Sequence, residues 1–112
     1  MSDTVNTSDE TRGIATIEIT MDDAKCTPRV HTVFGQVAWL VYNHSASPVN
    51  VGIGLHPPLS IDWVTPNGNE TGDIKPGGAK VIVGKGAKPH GRHKYDVLRN
   101  GLVAIDPEID IG

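Results

Sequence analysis

Alternation of apolar and polar residues in the last fifth of the chain, residues 91–112, constrains the fold more than any other feature. The alternating apolar positions are Tyr95, Val97, Ile109 and Ile111. Side chains two residues apart project from the same face of a β-strand, so both segments predict strands with one apolar face. Turn residues at 99–101 separate them. We therefore expect the chain to end in two strands, residues 92–98 and 102–111.

Similar short segments recur through the rest of the chain. Ile14–Thr20 alternates strictly, and Val49–Leu55 alternates apolar residues with Asn50 and two glycines. Further strands are expected over residues 30–43 (divided at Gly35-Gln36), 59–64 and 79–83, and the final strand is interrupted at Asp106-Pro107. Residues 21–28, 65–71, 75–78 and 84–91 are predicted to be loops or turns. Turn signals roughly every ten residues, without a sustained helical period, indicate an all-β sandwich of about seven or eight short strands.

Burial can also be predicted for the middle of the chain. Residues 37–42 form the most apolar run and predict a central strand covered on both faces, with Trp39 in the core. In Val49–Leu55 the glycines leave one face almost bare, which allows another backbone or a ligand to lie close. Either this strand or residues 59–64 is expected at a sheet edge, where an open strand favours self-association.

Length and composition indicate one domain without a distinctive partner class. We place this domain over residues 14–112 and expect the polar, acidic residues 1–13 to form a flexible tail. The formal net charge is only −3, and the single cysteine, Cys26, cannot form an internal disulfide. No apolar run is long enough to span a bilayer, and no signal-peptide pattern is seen. The expected location is cytoplasmic, or periplasmic or secreted if a leader was removed.

Three segments carry a family resemblance. They are residues 37–51 (VAWLVYNHSASPVNV), residues 73–83 (DIKPGGAKVIV) and residues 91–111, which include Tyr95. The first resembles a strand that enters a turn with an Asn, a Ser and a Pro, the second a Pro-Gly turn and strand before a metal loop, and the third a final hairpin. In this order they resemble the cupredoxins, the superfamily of plastocyanin and azurin. The resemblance covers residues 14–111 and implies a Greek-key β-sandwich.

At the positions that correspond to the copper ligands of that family, this chain has other residue types. A blue copper site uses two His and one Cys, usually with an axial Met, because thiolate and imidazole ligands select copper. The first His corresponds to about Val49 and the Cys to about Val97. The second His would fall within residues 99–101, and the Met near Ile105 or Asp106. The resemblance therefore implies a cupredoxin-like scaffold without type 1 copper, and we expect no cofactor.

Basic residues concentrate between residues 75 and 99, where Asp96 is the only acidic residue. The basic residues are Lys75, Lys80, Lys85, Lys88, Arg92, Lys94 and Arg99. Acidic residues gather at 3–23 and 106–110, so the sequence predicts a molecule with separated charges. The expected partner-binding residues are Lys85, Lys88, Arg92, Lys94 and, as an exposed aromatic contact, Trp63. A protein partner or self-association is favoured; nucleic acid is a weaker alternative because only Tyr95 is near for base stacking.

Histidines support a second hypothesis, a metal-binding protein. The candidate ligands are His90 and His93, helped by His44 or His56. Imidazoles three residues apart in a glycine-containing stretch could reach one zinc or copper ion, with a further ligand from a neighbouring loop. Neighbouring lysine and arginine side chains carry positive charge that disfavours a cation.

No catalytic motif is present, and we expect a non-enzymatic protein. As a nucleophile, Cys26 would need a nearby histidine and an orienting group, and the loop sequence between it and His31 indicates neither. The carboxylates of Asp106, Glu108 and Asp110 occupy every second position and alternate with the isoleucines at 109 and 111. This spacing predicts the solvent-exposed face of a strand. The leading hypothesis is a small β-sandwich binding or assembly module that presents a basic hairpin face to a partner or to itself.

Overall fold

The structure is a computed structural model that describes residues 14–21, 25–27 and 30–112. The predicted tail, residues 1–13, lies outside the described residues, as do residues 22–24 and 28 of the first predicted loop. Eleven strands and no helix occur in the described part of the chain, so no helix there could cross a membrane. The strands are β1 (Ile14–Thr20), β2 (Lys25–Thr27), β3 (Val30–Val33), β4 (Gln36–Tyr42), β5 (Val49–Leu55), β6 (Ser60–Trp63), β7 (Glu70–Ile74), β8 (Ala79–Lys88), β9 (Gly91–Arg99), β10 (Leu102–Ile105) and β11 (Glu108–Ile111).

These strands form two sheets. The first has the order β2-β1-β4-β8-β6, and the second has the order β3-β11-β9-β5-β7, with β10 also paired to β9. Neighbours are antiparallel except for two parallel pairs, β1 with β4 and β3 with β11. Because β8 and β9 are consecutive but belong to different sheets, the connection between them crosses from one layer to the other.

Apolar side chains from both sheets meet in one buried core, which confirms the predicted all-β sandwich. Trp39 on β4 belongs to this core, as predicted, and joins the layers through Tyr95 on β9. The Trp39 Nε1–H donates a hydrogen bond to Tyr95 Oη over 3.1 Å, and the ring centroids lie 5.6 Å apart, edge to face. Both side chains are buried, so each polar atom of the pair would be costly to leave without a partner.

The strand predictions are confirmed at Ile14–Thr20 and Val49–Leu55, at the division of residues 30–43, and at the break before β11. Three predicted loops or turns contain strands instead. β2 lies within the first predicted loop, β7 begins within the predicted turn at residues 65–71, and β8 continues through most of residues 84–91. The count is therefore eleven strands in the described residues, not seven or eight.

The missed strands depend on their neighbours more than on their own sequences. β7 contains Gly72 at φ 74°, and Asn50 on β5 accepts a hydrogen bond from the Gly72 N–H over 3.1 Å. The second half of β8 includes Gly84, which leaves room for the Ile61 and Trp63 side chains of β6. Neither segment shows the apolar alternation that identifies a strand in isolation.

Burial differs from the predictions in two strands. β4 is central, but its second face is only half-buried, so the prediction of cover on both faces is wrong in part. β5 lies inside its sheet, whereas β6 lies at the edge of the other, so the edge prediction is right only for β6. Side chains of the protein itself cover the glycines of β5: a Cβ at Gly52 would lie 3.4 Å from Glu70 Cγ and 3.6 Å from Leu98 Cδ1.

Candidate functional site

Both ends of β9 lead from the core into hairpins with exposed side chains. The segment that we call the basic hairpin, residues 85–94, crosses from β8 in one sheet to β9 in the other, so its two strands do not pair with each other, and it contains four of the predicted partner-binding residues. The apolar hairpin, residues 98–105, joins β9 to β10. Between them Tyr95 and Val97 are buried, so the centre of the strand is fixed while its two ends meet solvent.

Three of the four predicted basic contact residues lie around the short connection between the two strands. Lys85 and Lys88 are exposed on β8, and Arg92 is exposed at the start of β9. None of the three forms an ion pair with another described residue. The connection is held by His93, whose Nε2 lies within hydrogen-bond distance, 3.0 Å, of the Pro89 carbonyl oxygen. The hairpin therefore presents positive charge on an ordered turn.

The predicted separation of charges is wrong for the acidic residues 106–110, because β11 lies directly beside β9. In the register of these strands, Asp110 stands opposite Arg92 and Glu108 opposite Lys94. The Lys94 Nζ also lies 3.5 Å from a carboxylate oxygen of Asp106. The linear sequence hides this pairing, since Glu108 and Asp110 follow their partners by more than ten residues. Acidic neighbours therefore offset part of the charge of the hairpin on its β9 side.

Trp63, predicted as an exposed contact, is half-buried and packs against the core, so only part of its side chain meets solvent. Its ring centroid lies 5.9 Å from that of Trp39. In the sheet Trp63 pairs with Gly84, the residue before Lys85. This tryptophan therefore packs beneath the start of the basic hairpin, and its role in binding stays a prediction.

The histidines do not assemble a metal centre with three protein ligands. No group of three His, Cys, Asp or Glu side chains among the described residues is placed to hold a metal ion. His93 contacts a backbone carbonyl, and His56 Nε2 lies 3.0 Å from Asp96 Oδ2. His44 lies near an aromatic ring, and His90 is exposed in the connection of the basic hairpin.

The positions that correspond to copper ligands lie on two neighbouring strands and the turn that follows them. Val97 and Arg99 on β9 pair with Ile53 and Val51 of β5, the strand that begins at Val49. None of these side chains supplies sulfur or imidazole. Cys26, the single cysteine of the chain, lies on β2 at the edge of the other sheet.

The apolar hairpin is a feature to which the sequence analysis assigned no function. Leu102 and Val103 are 75% and 59% exposed. The turn before them is fixed by Asn100, at φ 51°, whose Oδ1 accepts a hydrogen bond from the Asn50 N–H over 2.9 Å. The Asn100 N–H donates in return to the Asn50 carbonyl over 2.8 Å. Two consecutive apolar residues directly after a turn were the sequence signal that could have identified this surface.

No protein-family model and no curated protein matches the chain. Among solved structures, auracyanin from the photosynthetic bacterium Roseiflexus castenholzii superposes with a TM-score of 0.53 at 16% identity, covering 89% of this chain and 97% of auracyanin. The multicopper oxidase McoA from the hyperthermophile Aquifex aeolicus gives a TM-score of 0.53 at 10% identity, covering 88% of this chain and 29% of the oxidase. Lac15 from a marine microbial metagenome gives 0.48 at 12% identity, covering 86% of this chain and 26% of Lac15.

These similarities concern the fold. The chain spans almost the whole of auracyanin but less than a third of McoA or Lac15. Together with the two-sheet topology, the superpositions on auracyanin and McoA confirm the predicted cupredoxin-like β-sandwich.

Proposed function

We propose that this protein is a non-enzymatic binding module that presents its basic hairpin to an acidic protein surface. The observation that carries the proposal is the exposure of Lys85, Lys88 and Arg92 around one ordered connection, without an ion pair to another described residue. Exposed cations attract an anionic partner from a distance and orient its approach, even where acidic neighbours offset part of their charge.

The surroundings of the basic hairpin favour a protein partner over a nucleic acid. Tyr95, the aromatic residue nearest to the cations in sequence, is buried, and Trp63 is turned towards the core. Neither of these two rings is therefore fully exposed for stacking against the bases of a single-stranded nucleic acid. Glu108 and Asp110 on the neighbouring strand would also repel a continuous phosphate backbone, whereas a protein surface of mixed charge can pair with both signs.

The scaffold suits a binding role because the buried centre of β9 is separate from the exposed residues at its start. The inter-sheet bond between Trp39 and Tyr95 fixes the centre of β9, and the hairpin extends from that centre. Binding residues held by a rigid sandwich lose little conformational freedom on association. The copper-ligand positions hold side chains without sulfur or imidazole, so this proposal does not draw on copper chemistry.

The test is the binding of the protein to immobilised poly-L-glutamate, measured with the double variant Lys85→Glu and Lys88→Glu. We expect the variant to bind at least about tenfold more weakly, which corresponds to roughly 1.4 kcal/mol. The matched control is Lys75→Glu with Lys80→Glu, which changes the net charge equally at two other exposed lysines.

The control separates a local effect from a change in net charge. Equal losses in the two double variants, or no binding of the unchanged protein, would contradict the proposed acidic partner. A single-stranded DNA oligonucleotide is measured in parallel; tighter binding to DNA than to poly-L-glutamate would overturn the choice of a protein partner.

A further inference from the structure

Two Asn-Gly pairs occur in the chain, and both lie in connections between strands. They are Asn67-Gly68, between β6 and β7, and Asn100-Gly101, between β9 and β10. An asparagine before glycine readily loses its side-chain amide, because glycine has no side chain that would hinder attack of its backbone nitrogen on the asparagine Cγ. Both asparagines are exposed. Exposure therefore does not distinguish the two pairs, whereas their hydrogen bonds do.

The hydrogen bonds at Asn67-Gly68 restrain both groups that would have to react. The Gly68 N–H, which carries the attacking nitrogen, donates to the Thr65 carbonyl over 2.9 Å. The Asn67 Nδ2, which would leave as ammonia, donates to the Thr71 carbonyl over 3.2 Å. Attack on Cγ has to break the first bond, and loss of the amide has to break the second. The folded structure therefore opposes deamidation at this pair.

The hydrogen bonds at Asn100-Gly101 have the opposite effect. Among the residues that the structure describes, none accepts a hydrogen bond from the Gly101 N–H or from the Asn100 Nδ2. The Asn100 Oδ1, in contrast, accepts a hydrogen bond from the Asn50 N–H over 2.9 Å. This oxygen gains negative charge when a nucleophile adds to Cγ, so a donor that already points at it stabilises the developing charge. The attacking nitrogen and the departing amide are free, and the oxygen between them is held.

We propose that Asn100 is a site of spontaneous deamidation. The Gly101 nitrogen gives its proton to solvent and forms a bond to the Asn100 Cγ. The bond between Cγ and Nδ2 then breaks, and the amide nitrogen takes a proton from solvent and leaves as ammonia. The product is a cyclic succinimide. Water opens this ring at either of its carbonyl groups, which leaves aspartate or isoaspartate at position 100.

The two products change the apolar hairpin in different ways. Aspartate keeps an oxygen that can accept the Asn50 N–H and adds a negative charge beside Arg99. Isoaspartate routes the backbone through the former side chain, so the reciprocal pair of bonds with Asn50 is lost. Isoaspartate therefore loosens the turn before β10 and leaves the basic hairpin unchanged. This inference does not depend on the acidic partner proposed for the basic hairpin.

Incubation of the protein in mildly alkaline buffer, followed by peptide mapping with mass spectrometry, tests the proposal. In the folded protein, Asn100 is expected to convert at least about tenfold faster than Asn67, since only Asn67-Gly68 has to break two hydrogen bonds. The reference is the same protein in concentrated urea, where neither pair keeps its hydrogen bonds. The two rates should become similar there.

Asn100→Gln and Asn67→Gln are matched variants, because the longer glutamine side chain forms a cyclic imide far more slowly. The increase in intact mass that follows replacement of an amide nitrogen by oxygen should disappear in Asn100→Gln and persist in Asn67→Gln. An isoaspartyl-specific methyltransferase should label incubated Asn67→Gln and the unchanged protein, but not Asn100→Gln.

Four results would overturn the proposal. The first is conversion of Asn67 at least as fast as that of Asn100 in the folded protein, and the second is a ratio of rates that urea leaves unchanged. The third is labelling that survives Asn100→Gln. The fourth is a folded protein that stays unmodified over a time in which both pairs convert in urea.

Discussion

The two ends of β9 show how one strand can serve two kinds of surface. At its start, exposed Lys88 and Arg92 flank a connection, and the neighbouring strand supplies carboxylates. At its end, Leu102 and Val103 are exposed beside an open edge. A partner bound at the first end would be held by charges and would respond to salt, whereas one bound at the second would be held mainly by apolar burial.

Both ends of β9 are held in place by the buried centre of the strand. Tyr95 and Val97 are buried between the sheets, so neither hairpin can shift along β9 without disrupting the core. The two hairpins are therefore expected to act independently of each other while both depend on the same inter-sheet contacts. The following substitutions test this arrangement.

Trp39→Ala should produce the largest effect and impair both ends together. The side chain is fully buried and contacts both Tyr95 and Trp63. Its removal leaves a large cavity and should lower the free energy of unfolding by about 3–5 kcal/mol. Urea unfolding measures the loss, and a change below about 1 kcal/mol would contradict the role of this residue as the centre of the core.

Gly84→Ala should destabilise the first sheet beneath the basic hairpin. An added Cβ would overlap Ile61 Cγ2 and press against the Trp63 ring. Overpacking of this kind costs about 1–3 kcal/mol. Gly52→Ala is the control, because its Cβ would make ordinary contacts of 3.4 Å or more. Thermal unfolding of both variants should show a clear fall for Gly84→Ala and a smaller change for Gly52→Ala; the reverse order would refute the packing argument.

Tyr95→Phe should weaken the link between the sheets without creating a cavity. The buried Trp39 Nε1–H would lose its acceptor, and a buried unpaired donor costs about 1–2 kcal/mol. Urea unfolding of Tyr95→Phe, Trp39→Phe and the double variant measures the coupling. Strictly additive losses in this cycle would show that the hydrogen bond contributes nothing.

Asn100→Ala should affect the apolar end alone. The substitution removes the bond to the Asn50 N–H and places alanine at φ 51°, a conformation that costs L-residues about 1 kcal/mol or more. Hydrogen exchange should become faster at Asn50 and in β10, while amides of the basic hairpin keep their rates. Equal acceleration at both ends would contradict their independence.

Lys94→Gln should produce the smallest effect. Its ion pair with Asp106 spans 3.5 Å between side chains that are more than half exposed. Such pairs contribute little to stability because water and salt screen them, so the midpoint of unfolding should stay almost unchanged. A clear loss of stability would show that this ion pair stabilises the interruption between β10 and β11.

The sequence was sufficient for much of the fold. Alternation in Ile14–Thr20, Val49–Leu55 and residues 91–112 predicts strands, because a strand with one buried face needs an apolar residue at every second position. β7 and the end of β8 could not be predicted this way, since Gly72 and Gly84 act through what their neighbours place beside them. Local sequence patterns indicate which face of a strand is buried. Pairing with strands that are distant in sequence decides where the remaining strands form.

The candidate site was predicted less completely for the same reason. Lys85, Lys88 and Arg92 are exposed as a charged segment should be. The parallel and antiparallel pairing that sets β11 beside β9 is invisible in the order of the residues, so the acidic neighbours were missed. Trp63 was expected at the surface because prolines lie on both sides of its strand, whereas its ring lies 5.9 Å from that of Trp39 and packs against the core.

The most direct test of the basic hairpin as a charged binding surface is sedimentation velocity of the protein with labelled poly-L-glutamate over a titration of salt. Added salt should release the labelled polymer, since the basic hairpin acts through screened charges. Binding that does not weaken as salt is added, or no binding at low salt, would contradict the account.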